Sequence, residues 1–335
     1  MRQGLLRHQP TCQSLVIAAV VSLLLGVPAI AAAQVRETGL TLEARFGPEF
    51  TESFTRTIQV GSSATLDLTN ESGDVVITGV GGNQVTIDAV KRVRQLTEFE
   101  ARTLLQEMVI RISERNGQVE VRTALPPEGN WSGGVDYTIA LPDAASVTLR
   151  VTRGDLRITN IRGELRASTV SGNIVVSSLA RLRDVKTISG DIEITDAEGE
   201  TVTAGALNGN VIARNLKARS VDVDAKSGDI RFIDVVCDEV YLAGVTGDVE
   251  YTGRLAKGGR YRLQSHSGHI LITPLGETGF ELQANSFSGD IRSDYPFSDS
   301  PSPGQPNQSL RGTVGDASAS VELRSYSGDI AIIKR

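Results

Sequence analysis

A small polar residue, then a glycine, then usually Asp or Asn recurs along most of this chain, at Gly73, Gly154, Gly172, Gly190, Gly209, Gly228, Gly247, Gly268, Gly289 and Gly328. From Gly154 the steps are 18, 18, 19, 19, 19, 21, 21 and 39 residues, the last close to two repeats. A period of this kind marks a repeat architecture, in which one unit cannot bury its apolar face alone and must stack on its neighbours. Few two-residue hairpin turns intervene, which argues against a sandwich of hairpins.

Around each glycine the chain alternates apolar and polar, as a strand does when one face is buried and the other is wet. Relative to Gly228, Val221, Val223 and Ala225 lie at −7, −5 and −3, and Ile230 and Phe232 at +2 and +4. Gly172 has Leu165, Ala167 and Thr169 before it and Ile174 and Val176 after it, and Gly328 has Val321, Leu323 and Ser325, then Ile330 and Ile332. The inward residues shrink towards the glycine. Two strands meeting at a tight corner, with about seven connecting residues, make one coil of an all-β parallel β-solenoid, or β-helix, of about nine coils. The corner calls for φ > 0, where a Cβ costs about 1–2 kcal/mol.

Three regions depart from the repeat. Thr97 followed by Glu100 fits a capping box for a short helix with Phe99, Leu104, Leu105 and Met108 on one apolar side. Strands around 108–113 and 119–123 flank Asn116-Gly117 and read as a hairpin. Residues 34–145 are thus expected to form a strand-rich region, with one short helix and a hairpin, that caps the solenoid of 146–335. Pro296 to Ala317, rich in Pro, Ser and Gly, reads as a long projecting loop in which Pro296, Pro301, Pro303 and Pro306 cannot donate to a central ladder. Phe297 is its candidate apolar anchor for a partner.

The third region is the beginning. Arg2 and Arg7, an apolar run from Leu15 to Val27 and Ala31-Ala32-Ala33 make residues 1–33 a secretory signal, too short before Pro28 for a membrane span. Cleavage leaves 32 Lys+Arg against 40 Asp+Glu, a formal net charge of −8, with Cys237 as the single cysteine. An internal disulfide is then excluded. The expected location is the periplasm, cell surface or medium, with no membrane span in the mature chain. An acidic balance without like-charge blocks argues against nucleic acid as a partner.

Phe54 to Val60, Leu66-Asp67-Leu68 leading into Ser72-Gly73-Asp74, the run Tyr137-Thr138-Ile139-Ala140-Leu141-Pro142 and the serial Ser-Gly-Asp-Ile corners together resemble the bacterial family of putative adhesins, over roughly residues 50–335. That family is a domain of unknown function. The resemblance implies a β-helix, an envelope location, and adhesion or envelope-stress roles, and it supplies no catalytic residues.

The residues after the corner glycines form a column: Asp155, Asn173, Asp191, Asn210, Asp229, Asp248, His269 and Asp290. Carboxylates and amides suit calcium, but Asx side chains also bond their own backbone at corners, and the period differs from that of nonapeptide calcium repeats. Turn chemistry is the expectation. His266 and His269, with Asp248 and Asp290 expected in neighbouring coils, are the candidate ligands for zinc or a pH switch, though two His and an unproven carboxylate are an incomplete set. Arg153-Gly154-Asp155 matches an integrin-binding tripeptide at a corner that needs Gly-Asp anyway. No Gly-x-Ser-x-Gly elbow occurs, and no pair of acids stands out for glycosidase chemistry. The expectation is an exported, non-catalytic binding or structural protein without cofactors, its partner a protein or another envelope component. The alternatives are a polysaccharide-active β-helix enzyme and an envelope-stress regulator.

Overall fold

The computed structural model describes residues 47–61, 64–127, 129, 131–297 and 304–335; the expected signal, 1–33, lies outside the described residues. In the repetitive part each coil is one long strand between successive corner glycines: Leu156–Ser171, Ile174–Ser189, Ile192–Asn208, Val211–Ser227, Ile230–Thr246 and Val249–Ser267. Equivalent residues stack in parallel, Ile174 beside Ile192, then Val211, Ile230 and Val249. Adjacent coils thereby satisfy each other's backbone groups, which is what makes a β-solenoid from a repeat.

The corner glycines have φ from +122° at Gly73 to +159° at Gly289. Crowding adds a second constraint: a Cβ on Gly209 would lie 1.9 Å from the carbonyl oxygen of Gly190 in the coil below. A second corner follows six residues later, at Asn160, Ser178, Asp196, Asn215 and Asp234, all with φ between 51° and 58°. Asn and Asp are the side chains that visit this left-handed region most readily. The strands therefore bend twice per coil, where the repeat alone announced one glycine corner.

The core follows the alternation. Val221, Val223, Ala225, Ile230 and Phe232 are all buried, as are Val235 and Cys237 farther along the same coil. Burying five to seven such side chains contributes roughly 10 kcal/mol per coil before entropy is counted, and only if both neighbours are in place. The small residue at −3 has a further task in several coils: the hydroxyls of Thr187, Ser265 and Ser286 donate to the corner carbonyls of Gly172, Gly247 and Gly328 at 3.1–3.2 Å.

At the beginning, Glu49–Gln59 runs antiparallel to Gln84–Arg94, which in turn pairs with Ser132–Pro142. Thr65–Ser72 joins the stack beside Ser146–Arg153, so the Gly73 corner sits next to Gly154 despite the long insertion between them. The helix is Glu98–Glu107, with Thr97 as its N-cap. It buries Ala101 and Leu105, followed by Met108, whereas Phe99 is 81% exposed. At 100° per residue Phe99 points away from Ala101 and Leu105, which corrects the expectation that it shares the helix's apolar side. The hairpin Val109–Arg115 and Gln118–Ala124 turns at Asn116-Gly117, both with positive φ, and its second strand extends the stack beside Thr65–Ser72.

At the other end the coils do not follow chain order. Ala319–Ser327 pairs in parallel with Val249–Ser267 on one side and with Phe280–Ser288 on the other, Val321 lying between Tyr261 and Leu282. Ile330 likewise lies between Ile270 and Ile291. The last coil is inserted between the Gly268 and Gly289 coils. The cause is Gln308–Val314, which runs antiparallel along Phe280–Ser288 and occupies its outer edge, leaving the inner edge for the C-terminal strand. This corrects the reading of Pro296 to Ala317 as a projecting loop, since a third of the segment is strand. Phe297 is corrected with it: the ring packs against the core over Gly312, whose missing side chain makes the room, and 6.4 Å from Tyr295. Among the described residues no helix is long and apolar enough to cross a membrane.

Candidate functional site

The column after the corners is an inter-coil ladder of hydrogen bonds. Each side-chain oxygen accepts the backbone N–H of its counterpart one coil on. Asp136 Oδ1 accepts from Asp74, Asp74 from Asp155, Asp155 from Asn173, Asn173 from Asp191, Asp191 from Asn210, Asn210 from Asp229, Asp229 from Asp248 and Asp248 from His269, at 2.7–3.0 Å. The run continues through His269 Nδ1, which accepts from Asp329 at 3.0 Å, and Asp329 Oδ1, which accepts from Asp290 at 2.8 Å. Asp290 ends it, bonded by the Gly304 N–H and by Gln308 Nε2, and the Gly304 bond holds its carboxyl below the usual carboxylate range. Asp and Asn serve equally because the rung uses only one carbonyl-type oxygen.

This geometry separates the candidate metal ligands. Asp329, not Asp290, follows His269 in the stack, because the last coil intervenes. His269 spends Nδ1 on the ladder, and His266 stacks on Tyr326, with ring centroids 4.8 Å apart and planes at 8°. Among the described residues no three His, Cys, Asp or Glu side chains are grouped as a metal site. Asp155 of the Arg-Gly-Asp tripeptide is likewise a rung.

The outward position two residues before each corner forms a different column. In stacking order it reads Glu71, Thr152, Val170, Ile188, Leu207, Lys226, Val245, His266, Tyr326 and Phe287. Val170, Ile188, Leu207, Val245, Phe287 and Tyr326 are each between 38% and 51% exposed, though large and apolar. Tyr326 stacks face to face on His266 and on Phe287, at 4.8 Å each, an arrangement that exists only because the last coil inserts between the other two. Towards the other end, Val170, Ile188 and Leu207 line a shallow groove of about 530 Å³, floored at Gly205 and bordered by Arg150, Lys186, Lys226 and Asp224. Exposed apolar side chains in register on one face are the chain's most distinctive surface feature, since scattered ones need no explanation and contiguous ones do.

The titratable groups inside the coil stack are unreactive by placement. Burial pushes the Cys237 thiol up to about 12, and the Tyr261 phenol to about 12, the latter donating to the Cys237 carbonyl. A second depression, of about 310 Å³, carries Asp222, Glu239 and Glu322, but Glu322 is bound to Arg262 at 2.8 Å and Glu239 lies 3.7 Å from Arg260. Burial, then Asp224, raise the Asp222 carboxyl against the opposing pull of Lys186. Glycosidase chemistry asks for two carboxyls facing each other across a cleft, one free to protonate and one to attack; here two of the three are committed to arginines.

The outward column has no signal in the alternation of the inward positions and shows in the sequence only when the −2 positions are aligned. Aligning all ten corners and reading the −2 position gives the same ten residues, apart from the spatial exchange of Phe287 and Tyr326.

A family model described as Toastrack DUF4097 matches residues 65–333. No curated protein matches the chain. Similar solved structures include a putative cell adhesion protein from Clostridium sporogenes ATCC 15579, with 12% identity, a TM-score of 0.28, and coverage of 85% of this chain and 100% of that one. A putative adhesin from Bacteroides fragilis NCTC 9343 has 13% identity and a TM-score of 0.35, covering 84% of this chain and 97% of that one. A putative adhesin from Parabacteroides distasonis ATCC 8503 has 9% identity and a TM-score of 0.43, with the same coverages. At such identities and scores the likenesses carry nothing about function.

Proposed function

The chain belongs to the Toastrack DUF4097 family, and from that premise we propose that it is a non-catalytic, exported β-solenoid that binds an envelope component or another protein through its outward apolar column. The observation that carries this reading is the register of Val170, Ile188, Leu207, Val245, Tyr326 and Phe287: six exposed apolar side chains at one repeat position, on a face whose backbone is already paired. Inward positions need apolar residues for stability and this position does not, so its apolarity is explained by contact with something outside the chain. Export rests on residues 1–33 read as a signal, and it predicts a mature protein beginning at Gln34. Intact-mass measurement on exported protein checks that; retention of Met1 to Ala33 in the membrane fraction refutes it.

The binding reading is tested with Ile188→Lys and Tyr326→Lys, both at exposed positions. The circular dichroism spectrum is expected to stay that of the parent, with the melting temperature within about 2 °C for Ile188→Lys, a plain surface change, and several degrees lower for Tyr326→Lys, which loses its two ring stacks. Retention of the purified protein on isolated cell envelopes is expected to fall. Undiminished retention by both variants refutes the reading.

A further inference from the structure

We propose that the groove along Val170, Ile188 and Leu207 holds the acyl chain of an anionic single-chain lipid, with its headgroup at Lys226. The inference deepens the reading of the outward face as a contact surface and rests on it.

Four observations converge. The first is the order of the row: three apolar side chains, Val170, Ile188 and Leu207, followed in the next coil by an ammonium group at Lys226. At about 4.8 Å per coil, Val170 stands about 14 Å from Lys226, the layout of a long apolar tail ending in an anion. The second is the state of the cations. Arg150 is held by Asp67 at 2.9 Å and Lys186 by Asp184 at 2.7 Å, whereas Lys226 makes no ion pair or hydrogen bond among the described residues. The lining carries Arg150, Lys186 and Lys226 against one acid, Asp224, which forms no ion pair with Lys226.

The third observation is Gly205, which floors the groove. Unlike the corner glycines it has no positive φ, and a Cβ there would meet only Asp224 O at 3.6 Å and Lys186 Cγ at 3.8 Å, ordinary contacts. A glycine inside a strand weakens it, so one that neither backbone nor packing demands marks a place where something else approaches closely. The fourth is the pairing of the face. Ile192–Asn208 is bonded in parallel on both sides, so the sheet presents side chains and offers no free backbone donors or acceptors. A peptide laid across the coils would bury amides without partners; an acyl chain has none to bury.

The probe is laurate below its micelle concentration, titrated calorimetrically into the intact protein, with dodecyltrimethylammonium as the cationic counterpart of the same chain length. Saturable one-to-one binding of laurate is expected, with preference over the cationic probe. Gly205→Leu fills the groove and is expected to weaken laurate about tenfold or more, through loss of about two methylene contacts, at a melting temperature no lower than the parent's. Should Gly205→Leu misfold, Gly205→Ser and Leu207→Ser replace it. Lys226→Gln is expected to abolish the preference for the anionic probe. No saturable laurate binding, or full laurate binding by folded Gly205→Leu, overturns the inference. Envelope retention separates the two proposals: if Ile188→Lys abolishes retention while laurate does not bind, the contact surface stands and the acyl ligand falls. If laurate binds as expected while retention ignores both Ile188→Lys and Tyr326→Lys, the ligand stands and the envelope contact falls.

Discussion

Gly205 and Gly209 lie four residues apart in one coil, and adding the same methyl group to each is expected to have opposite consequences. At Gly209 the backbone sits at φ +149°, and a Cβ would come within 1.9 Å of the Gly190 carbonyl oxygen and 2.6 Å of its carbon. Real Cβ contacts stop near 3.0 Å, so the two coils must part by about 1 Å, against hydrogen bonds that fix them about 4.8 Å apart. Backbone strain of about 1–2 kcal/mol and overpacking of about 1–3 kcal/mol place Gly209→Ala at roughly 3 kcal/mol of destabilisation. At Gly205 the nearest atoms are 3.6 and 3.8 Å away, and Gly205→Ala is expected to stabilise by about 0.4–1 kcal/mol through the unfolded chain. Urea denaturation followed by circular dichroism measures both, and a shift of about 2–4 °C per kcal/mol gives a thermal check. Should Gly209→Ala fall within about 1 kcal/mol of the parent, or should both variants be equally destabilised, the account of the corner column is wrong.

Asp229→Asn keeps the ladder oxygen that accepts the Asp248 N–H and is expected to be nearly neutral, whereas Asp229→Ala loses the rung and about 0.5–1.5 kcal/mol; a melting temperature lowered by chelators would instead reveal a calcium ladder. Removing residues 319–335 takes a coil from between two others, so limited proteolysis is expected to cut within Phe280–Ser288 while Ile192–Thr246 stays protected; equal protection of both segments would contradict the interleaved order. Cys237, buried with its thiol raised to about 12, is expected to resist alkylation at pH 8 until the protein is unfolded. The raised value also means that ionising this thiol opposes folding, so its contribution to stability is lost as pH rises above the unfolded value of about 8.5.

The corners and the inward faces were legible because one small set of constraints repeats: glycine where φ is positive and a carbonyl passes close, apolar residues on every second position beside it. The second corner was legible in principle, as Asn160, Ser178, Asp196, Asn215 and Asp234 all lie six residues past a glycine, but these residue types also populate ordinary turns. The order of the last coils was not legible. Strands around Gly268, Gly289 and Gly328 share one pattern, so any could pair with any, and the choice falls to the antiparallel strand Gln308–Val314 and its occupation of one edge. That strand hides among prolines and glycines, and Phe297 reads as exposed until Gly312 is seen to open a place for it. The candidate site depends on the same exchange: Tyr326 is 60 residues from His266 in the chain, yet its ring lies between those of His266 and Phe287.

Whether the outward apolar column is the contact surface is tested most directly by photo-crosslinking in intact cells, with a photoreactive amino acid placed singly at Leu207, Tyr326 or Arg157. Arg157 is exposed and lies past the corner, on a different part of the coil. Adducts resolved by mass spectrometry are expected from Leu207 and Tyr326 and not from Arg157. Adducts from Arg157 alone, or equal labelling from all three positions, would contradict a binding face at the −2 column.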